Sequence, residues 1–336
     1  MTLPLKQSYP PMEARSAAQL PSGDNWQYEP KWDGFRCLAF RDGDSVSLQS
    51  KSGQPLGRYF PELVEALLKL KPKQFVLDGE IVVPVDGQLS FDDLLMRIHP
   101  AASRVQKLAK EHPANLIVFD LLVDDREKSI ADAPLAERRK KLDTFAKKYF
   151  ARDSKHKSIE LSPETKDLKI AKSWLAGAGG DVDGVIAKRL DLPYQSGNRN
   201  GMVKVKRLRT ADCVVGGFRY ASEGKLVGSL LLGLYDDKGL LHHVGFTSGI
   251  KAVDKPALTK KLEALIKPPG FTGRAPGGPS RWATDRSAEW KPLATKLVAE
   301  VQYDHFTGGR FRHGTKFLRW RVDKKPAQCA WEQVEG

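Results

Sequence analysis

The sequence predicts an α+β protein of two domains: antiparallel sheets with helices first, then a small β-barrel. Three observations carry this. The chain has 336 residues, 40% of them apolar, enough for two cores and too apolar for a disordered chain. Up to about residue 209, apolar runs of strand length alternate with stretches of helical period. After it, short strands follow one another with a single helix among them. The expected domains are 1–209 and 210–336.

Taken in order, residues 1–25 have weak periodicity and read as a lead-in. Arg36–Phe40 and Ser45–Gln49 read as strands, and Asp42-Gly43-Asp44 between them is a tight-turn signal, so they form a hairpin. Pro61 opens a helix carrying Leu63, Ala66, Leu67 and Leu70 at helical spacing. Phe75–Val83 is a strand, Phe91–Ile98 a helix and Leu116–Leu122 a buried strand. Leu135–Phe150 is a basic amphipathic helix, and its run Arg138, Arg139, Lys140, Lys141 reads as a solvated face. A glycine-rich turn at Gly177–Gly180 leads into a strand at Val182–Lys188. Cations then crowd at Arg199, Lys204, Lys206, Arg207 and Arg209.

The second half continues with strands at Cys213–Tyr220, Ser229–Tyr235 and Leu240–Thr247. A helix capped by Asp254 places Leu258, Leu262, Leu265 and Ile266 on one face. A Pro/Gly loop at Pro268–Pro279 precedes strands near Leu297–His305 and Lys316–Val322. Five short strands and one helix suit an OB-like barrel.

The formal net charge of +14 implies an anionic partner, with nucleic acid first and mere solubility as the bland alternative. The three cysteines, Cys37, Cys213 and Cys329, are far apart and form no CxxC. They read as buried thiols of a reducing compartment, not as a disulfide framework or zinc site. No apolar run reaches the length of a membrane span, and the N-terminus lacks a signal pattern, so a cytoplasmic protein is expected. There is no GxxxxGK[ST] phosphate loop, so any nucleotide site is built another way.

Six stretches carry candidate chemistry. Glu29-Pro30-Lys31-Trp32-Asp33-Gly34-Phe35-Arg36 sets one lysine between an acid and an Asp-Gly turn. A free lysine, with a pKa of about 10.4, is protonated at neutral pH; burial or neighbouring charge can free its lone pair to attack a carbonyl or a phosphorus. Taken alone, an exposed strand lysine is the commoner outcome. In Phe75–Val83, Asp78-Gly79 looks turn-like, but Glu80 would lie in a core strand, where it could hold a ribose or a metal. Phe119 in an apolar strand is core or a base-stacking platform in equal measure. Asp181-Val182-Asp183-Gly184 repeats the acid-Gly pattern before a strand ending in Lys188. Tyr194-x-x-Gly197-x-Arg199 precedes Lys204-Val205-Lys206, whose two lysines share a strand face; a polyphosphate between them, or an edge strand in solvent, would relieve the repulsion. Finally, from His305 to Lys325 the only acid is Asp323, and Arg310, Arg312, Lys316, Arg319, Arg321 and Lys324 interleave with aromatics, a nucleic-acid pattern. Alternation would put Arg319, Arg321 and Asp323 on one strand face.

The order of these stretches resembles the covalent nucleotidyltransferases, and within them the ATP-dependent DNA ligases of the compact two-domain bacterial C-type. The resemblance runs from residue 29 to 324 and implies a nucleotidyltransferase (adenylation) domain followed by an OB-fold. It implies that Lys31 is adenylated, Glu29 contacts adenine and Arg36 the sugar or phosphate. Glu80 would bind ribose or metal, and Phe119 would stack on adenine. Lys188, Arg199, Lys204 and Lys206 would hold the phosphates. Arg321-Val322-Asp323-Lys324 matches the RxDK motif that orients pyrophosphate. Lys51, in Ser50-Lys51-Ser52-Gly53, stands where the family usually has Arg, a bidentate group that Lys does not replace. Asp183 stands where most relatives have a metal-linked Glu. Lys51, Arg310, Arg312 and Lys316 would contact DNA.

The implied reaction makes lysyl-AMP from ATP, passes AMP to the 5′-phosphate of a nick in duplex DNA, and seals the strand. Mg²⁺ or Mn²⁺ is the implied metal, since the candidate ligands are oxygens. A hinge near 207–212, a monomer associated with the nucleoid, steep salt dependence on DNA, and partners such as a DNA-end-binding protein or a repair polymerase complete the expectation. With about 25 residues before the first motif, no separate N-terminal DNA-binding domain is expected. The runners-up are an RNA ligase or an mRNA-capping guanylyltransferase, which share K-x-D-G but not Trp290-Lys291-Pro292 with the RxDK strand. From another class comes a nucleic-acid-binding module without catalysis.

Overall fold

The computed structural model describes residues 3–150, 158–177, 182–277 and 289–334. Asp181, most of the predicted glycine-rich turn and the end of the Pro/Gly loop fall outside them. The chain divides into two compact units, Met1–Arg207 and Leu208–Gly336.

The first unit opens with β1 (Trp26–Trp32), β2 (Phe35–Asp42) and β3 (Ser45–Ser50). The turn between β1 and β2 needs glycine for space: a Cβ on Gly34 would lie 2.2 Å from the Ile81 carbonyl oxygen. β2 and β3 form the expected hairpin, with Asp42 opposite Ser45. Then come α1 (Pro61–Lys69), β4 (Gln74–Val82), α2 (Phe91–Met96), α3 (Ala102–Glu111) and β5 (Asn115–Val123). The unit continues with α4 (Leu135–Tyr149), β6 (Ile159–Leu161), α5 (Leu168–Ala176), β7 (Val182–Arg189) and β8 (Met202–Lys206). α1 starts on its proline and buries Leu63 and Leu67, as the periodicity predicts. α3 went unread because its apolar positions are few.

Two sheets result. One runs β3-β2-β4-β5-β6, and the other joins the short strand Arg15–Ser16 to β8, β7 and β1. One face of the five-stranded sheet packs Leu77 and Leu116 against Leu63 and Leu67 of α1. Its other face packs Leu38, Phe40, Val76 and Leu122 against Met12, Tyr194 and Met202. β1 and β2, separated by one turn, belong to different sheets, which puts Lys31 where the sheets meet.

Two expectations fail here. Arg138 and Arg139 are not on a solvated face but are buried. Arg138 makes a double hydrogen bond to Asp120, 2.9 Å each, and Arg139 donates to the Ser162 carbonyl at 2.9 Å. Asp78-Gly79 is no turn: β4 runs straight through it, with Asp78 fully buried. Gly79 is there because a Cβ would meet the Ile117 carbonyl oxygen at 2.7 Å, at a register shift against β5.

The second unit is the OB-fold. Its strands are β9 (Arg209–Tyr220), β10 (Val227–Tyr235), β11 (Leu241–Thr247), β12 (Val298–Tyr303) and β13 (Lys316–Trp320), with α6 (Lys255–Glu263) after β11. The sheet runs β11-β10-β9-β12-β13, and a sixth short strand, Lys291–Pro292, also pairs with β9. The Thr247 hydroxyl donates to the Thr315 carbonyl at 2.9 Å, bringing the edges together beside a Thr247–Thr315 bridge. Asp254 stands at the N-cap of α6, but its side chain makes no capping bond, and a proline in the first turn starts the helix instead. The last strand ends at Trp320, so Arg319, Arg321 and Asp323 do not share a strand face. Among the described residues, all three cysteines are buried and free, and no helix is long and apolar enough to cross a membrane.

Candidate active site

The junction of the two sheets holds a pocket of about 220 Å³ lined by Glu29, Lys31, Arg36, Lys51, Glu80, Phe119, Lys188 and Lys204. Eight of the residues singled out from sequence therefore meet in one cavity. They come from six strands and the turn after β3, which explains why the motifs are short and widely spaced.

Most cations at this junction have a carboxylate: Lys31, Arg36, Lys51, Lys188 and Lys206 each pair with one. Lys31 Nζ lies 2.5 Å from Asp183 Oδ2, and Lys206 approaches the same oxygen at 3.0 Å. The pairing follows from register: β1 and β7 are antiparallel neighbours, with Lys31 opposite Gly184. Burial disfavours a charged Asp183, but Lys31 and Lys206 outweigh it and hold the carboxyl below its usual range. Lys188 is paired to Glu29 at 2.6 Å, both nearly sealed from solvent, and Gln27 donates to Glu29 at 2.9 Å. Arg36 is clamped by both oxygens of Asp78 at 2.6 Å. Tyr194 donates to the same carboxylate at 2.6 Å and accepts from the Met12 N–H at 2.9 Å.

Phe119 is the apolar floor. The Arg36 guanidinium carbon lies 4.6 Å and Lys188 Nζ 4.5 Å from its ring centre, as cation–π contacts. Glu80 is half-buried on β4; burial, aided by Asp78 and Asp33, pushes its carboxyl up to about 7 against the pull of Arg36 and Lys31. Burial and then the neighbouring Lys31 and Lys206 push Lys204 down. This is a site crowded with cations from both sheets. It offers carboxylate oxygens at Glu80 and Asp183, a hard donor set that suits a divalent oxygen-seeking cation.

Arg199 does not line the cavity. It and Lys51 both pair with Glu13, each at 3.0 Å, and Glu13 is a lining residue. Arg321 and Lys324 come together in the second unit, both on Asp212. Arg310 and Arg312 are half-buried and Lys316 is exposed; Arg310 lies in a two-residue strand paired with Phe306-Thr307.

Sequence reading missed Glu13, Gln27, Asp78 as a clamp, and Asp212. Asp78 carried a signal, an acid inside an otherwise apolar run. The others sit in unremarkable context, and only the strand register reveals them.

The chain is similar to known proteins along its length. Residues 11–206 match the model of the ATP dependent DNA ligase domain, and 223–324 match the ATP dependent DNA ligase C terminal region. DNA ligase C1 of Mycolicibacterium smegmatis is 44% identical over 347 residues, covering 100% of this chain and 96% of the relative. The multifunctional non-homologous end joining protein LigD of Mycobacterium bovis is 31% identical over 313 residues, covering 91% of this chain and 37% of that protein. A solved Lig E DNA ligase shares the fold, with a TM-score of 0.58 at 16% identity over 93% of this chain and 99% of that one. With both family models matched in order and a full-length relative at this identity, the chain belongs to the ATP-dependent DNA ligases, in their compact C-type group.

Proposed function

We propose that Lys31 is the nucleophile that takes AMP from ATP, and that the surrounding pocket is the nucleotide site. The observation that carries this is the convergence of Lys31, an aromatic platform at Phe119 and the phosphate-seeking Lys188 and Lys204 on one cavity. Lys31 Nζ, once it has lost a proton, attacks the α-phosphorus. An N–P bond forms, the bond to the bridging oxygen breaks and pyrophosphate leaves. AMP then passes to the 5′-phosphate at a nick, and the 3′-hydroxyl attacks that phosphate, forming the phosphodiester and releasing AMP.

Each step is an in-line displacement at phosphorus, where positioning and charge stabilisation do most of the catalysis. Phe119 and Glu29 orient the base, with Glu29 held by Gln27 and Lys188. Arg36 is aimed by Asp78, and Lys204, Lys206 and Arg199 neutralise phosphate charge. Arg321 and Lys324 serve the pyrophosphate. Glu80 and Asp183 would hold Mg²⁺ or Mn²⁺, which supplies further charge neutralisation when bound. Lys51, Arg310, Arg312 and Lys316 hold the DNA backbone.

The same reading has the enzyme work as a monomer with the nucleoid in the cytoplasm. It flexes near 207–212 and meets DNA-end-binding or repair polymerase partners; its similarity to an end-joining protein supports that last point.

The test compares wild type with Lys31→Ala. Incubated with ATP and Mg²⁺, wild type gains the mass of one AMP and seals nicked duplex; the variant does neither. Absence of an adduct in wild type, or its persistence in Lys31→Ala, overturns the assignment.

A further inference from the structure

We propose that Asp212 is the positioning residue of the Arg321–Lys324 pair, and that it acts on lysyl-AMP formation without acting on strand sealing. The inference rests on the reading that this pair serves the pyrophosphate leaving group.

Asp212 lies near the start of β9 and is 8% exposed. Arg321 Nη1 donates to both of its oxygens at 2.9 Å, and Lys324 Nζ donates to Oδ2 at 2.7 Å. Its backbone is held as well: its N–H donates to Gln333 Oε1, and its carbonyl accepts from Gln333 Nε2, both at 2.9 Å. One carboxylate is thus anchored through its main chain and spans two cations more than a hundred residues away in sequence. Two cations this close repel one another, and a buried carboxylate is costly unless paired. Each side therefore stabilises the other, and the spacing of the two cations is set by Asp212.

Arg321 has a second anionic partner, Asp323, at 2.8 Å. The two acids differ in what they can do. Asp323 is two residues away and its side chain is 60% exposed, against 10% for Asp212. Asp323 accepts from Arg321 Nε at 2.9 Å and Nη2 at 2.8 Å, but it does so in solvent, where water and arriving phosphate oxygens compete for both bonds. When pyrophosphate oxygens arrive, Arg321 exchanges Asp323 for them and keeps Asp212, while Lys324 offers its remaining ammonium hydrogens. Asp212 acts through Arg321 and Lys324; it determines where the two cations point while the α-phosphorus–oxygen bond breaks and the N–P bond to Lys31 forms.

The test uses the full chain with Asp212→Asn, Asp212→Glu and Arg321→Ala. Three quantities are read: the rate of lysyl-AMP formation, sealing of a duplex whose nick is already 5′-adenylated without added ATP, and the melting temperature. Loss of a charge-assisted hydrogen bond predicts that Asp212→Asn slows lysyl-AMP formation by about ten- to a hundredfold. Asp212→Glu recovers part of that rate, and sealing of the adenylated nick stays at the wild-type rate. A parallel loss of both reactions with a lowered melting temperature shows a structural role and overturns the inference. So does a wild-type rate of lysyl-AMP formation in Asp212→Asn when Arg321→Ala is slow. If Arg321→Ala itself forms lysyl-AMP normally, the reading of the pair fails, and the role of Asp212 with it.

Discussion

Lys188 and Lys316 are both strand lysines in a strongly basic chain, and they live under opposite rules. Lys188, on β7, is sealed from solvent against Glu29 and over Phe119. Lys316, at the start of β13, faces solvent. The same division separates the two regions they represent. Around the pocket of the first unit, Lys31, Arg36, Lys188 and Lys206 each have a buried carboxylate at 3.0 Å or less. Along the C-terminal run of the second unit, Arg321 and Lys324 share one such carboxylate, while Arg319 holds Glu300 with its side chain 62% exposed. A cation given its own buried acid is one whose position matters. A cation left in solvent contributes charge, and charge is what a DNA backbone reads.

The largest effect comes from splitting a buried pair. Glu29→Gln leaves Lys188 charged and uncompensated in the interior, which costs about 3–5 kcal/mol. For a unit of this size that corresponds to a fall on the order of 10 °C in melting temperature. The double variant Glu29→Gln/Lys188→Met removes the stranded charge and recovers most of the loss. A fall no larger than that of Lys316→Ala breaks the contrast between the two kinds of cation.

Smaller, and sharper in its pH signature, is Glu80→Gln. The ordinary carboxyl value is 4.5, and burial on β4 lifts Glu80 to about 7. Between these values the folded chain keeps a proton that the unfolded chain has released. Stability from this group is therefore full below the lower value and is lost as pH rises through the upper one. The amide cannot ionise, so the variant gains on wild type as pH rises from roughly 5 to 8, by up to about 3 kcal/mol. Calorimetry without nucleotide or metal reads this directly, and a flat difference places Glu80 in water rather than among Asp33, Asp78 and the strands.

This contrast also marks what was legible in the sequence. The cations were legible because each lies in a short stretch of unusual composition: Lys31 before an Asp-Gly turn, Lys204 and Lys206 on one strand face, Arg321 and Lys324 after a run nearly free of acids. Their carboxylates were not. Asp212 precedes Cys213 at the head of an apolar strand and resembles any strand-end acid; only the meeting of Arg321 with β9 gives it a role. Arg138 and Arg139 show the converse. A four-cation run on a helix usually faces water, and nothing in α4 tells that Asp120, inside an apolar strand, is its partner. The two-unit α+β organisation was readable since it depends on local periods, which propensity and patterning determine. Pairings across more than a hundred residues depend on sheet register, and no local pattern encodes that.

The smallest effect tests the exposed side of the contrast. Lys316→Ala removes a charge from solvent, and surface changes of that kind stay within about 0.5 kcal/mol, so the melting temperature should not move. Lysyl-AMP formation should not move either, because that step needs no DNA. The effect expected is on binding to nicked duplex. Losing one phosphate contact lowers the slope of log affinity against log salt by about 1, and it does so equally for duplexes of different sequence. Arg312→Ala, at a half-buried position on the same run, should lower the slope similarly and also disturb stability. If Lys316→Ala slows adenylation instead of flattening the salt response, exposure does not separate charge for DNA from charge for chemistry, and the C-terminal run belongs with the pocket.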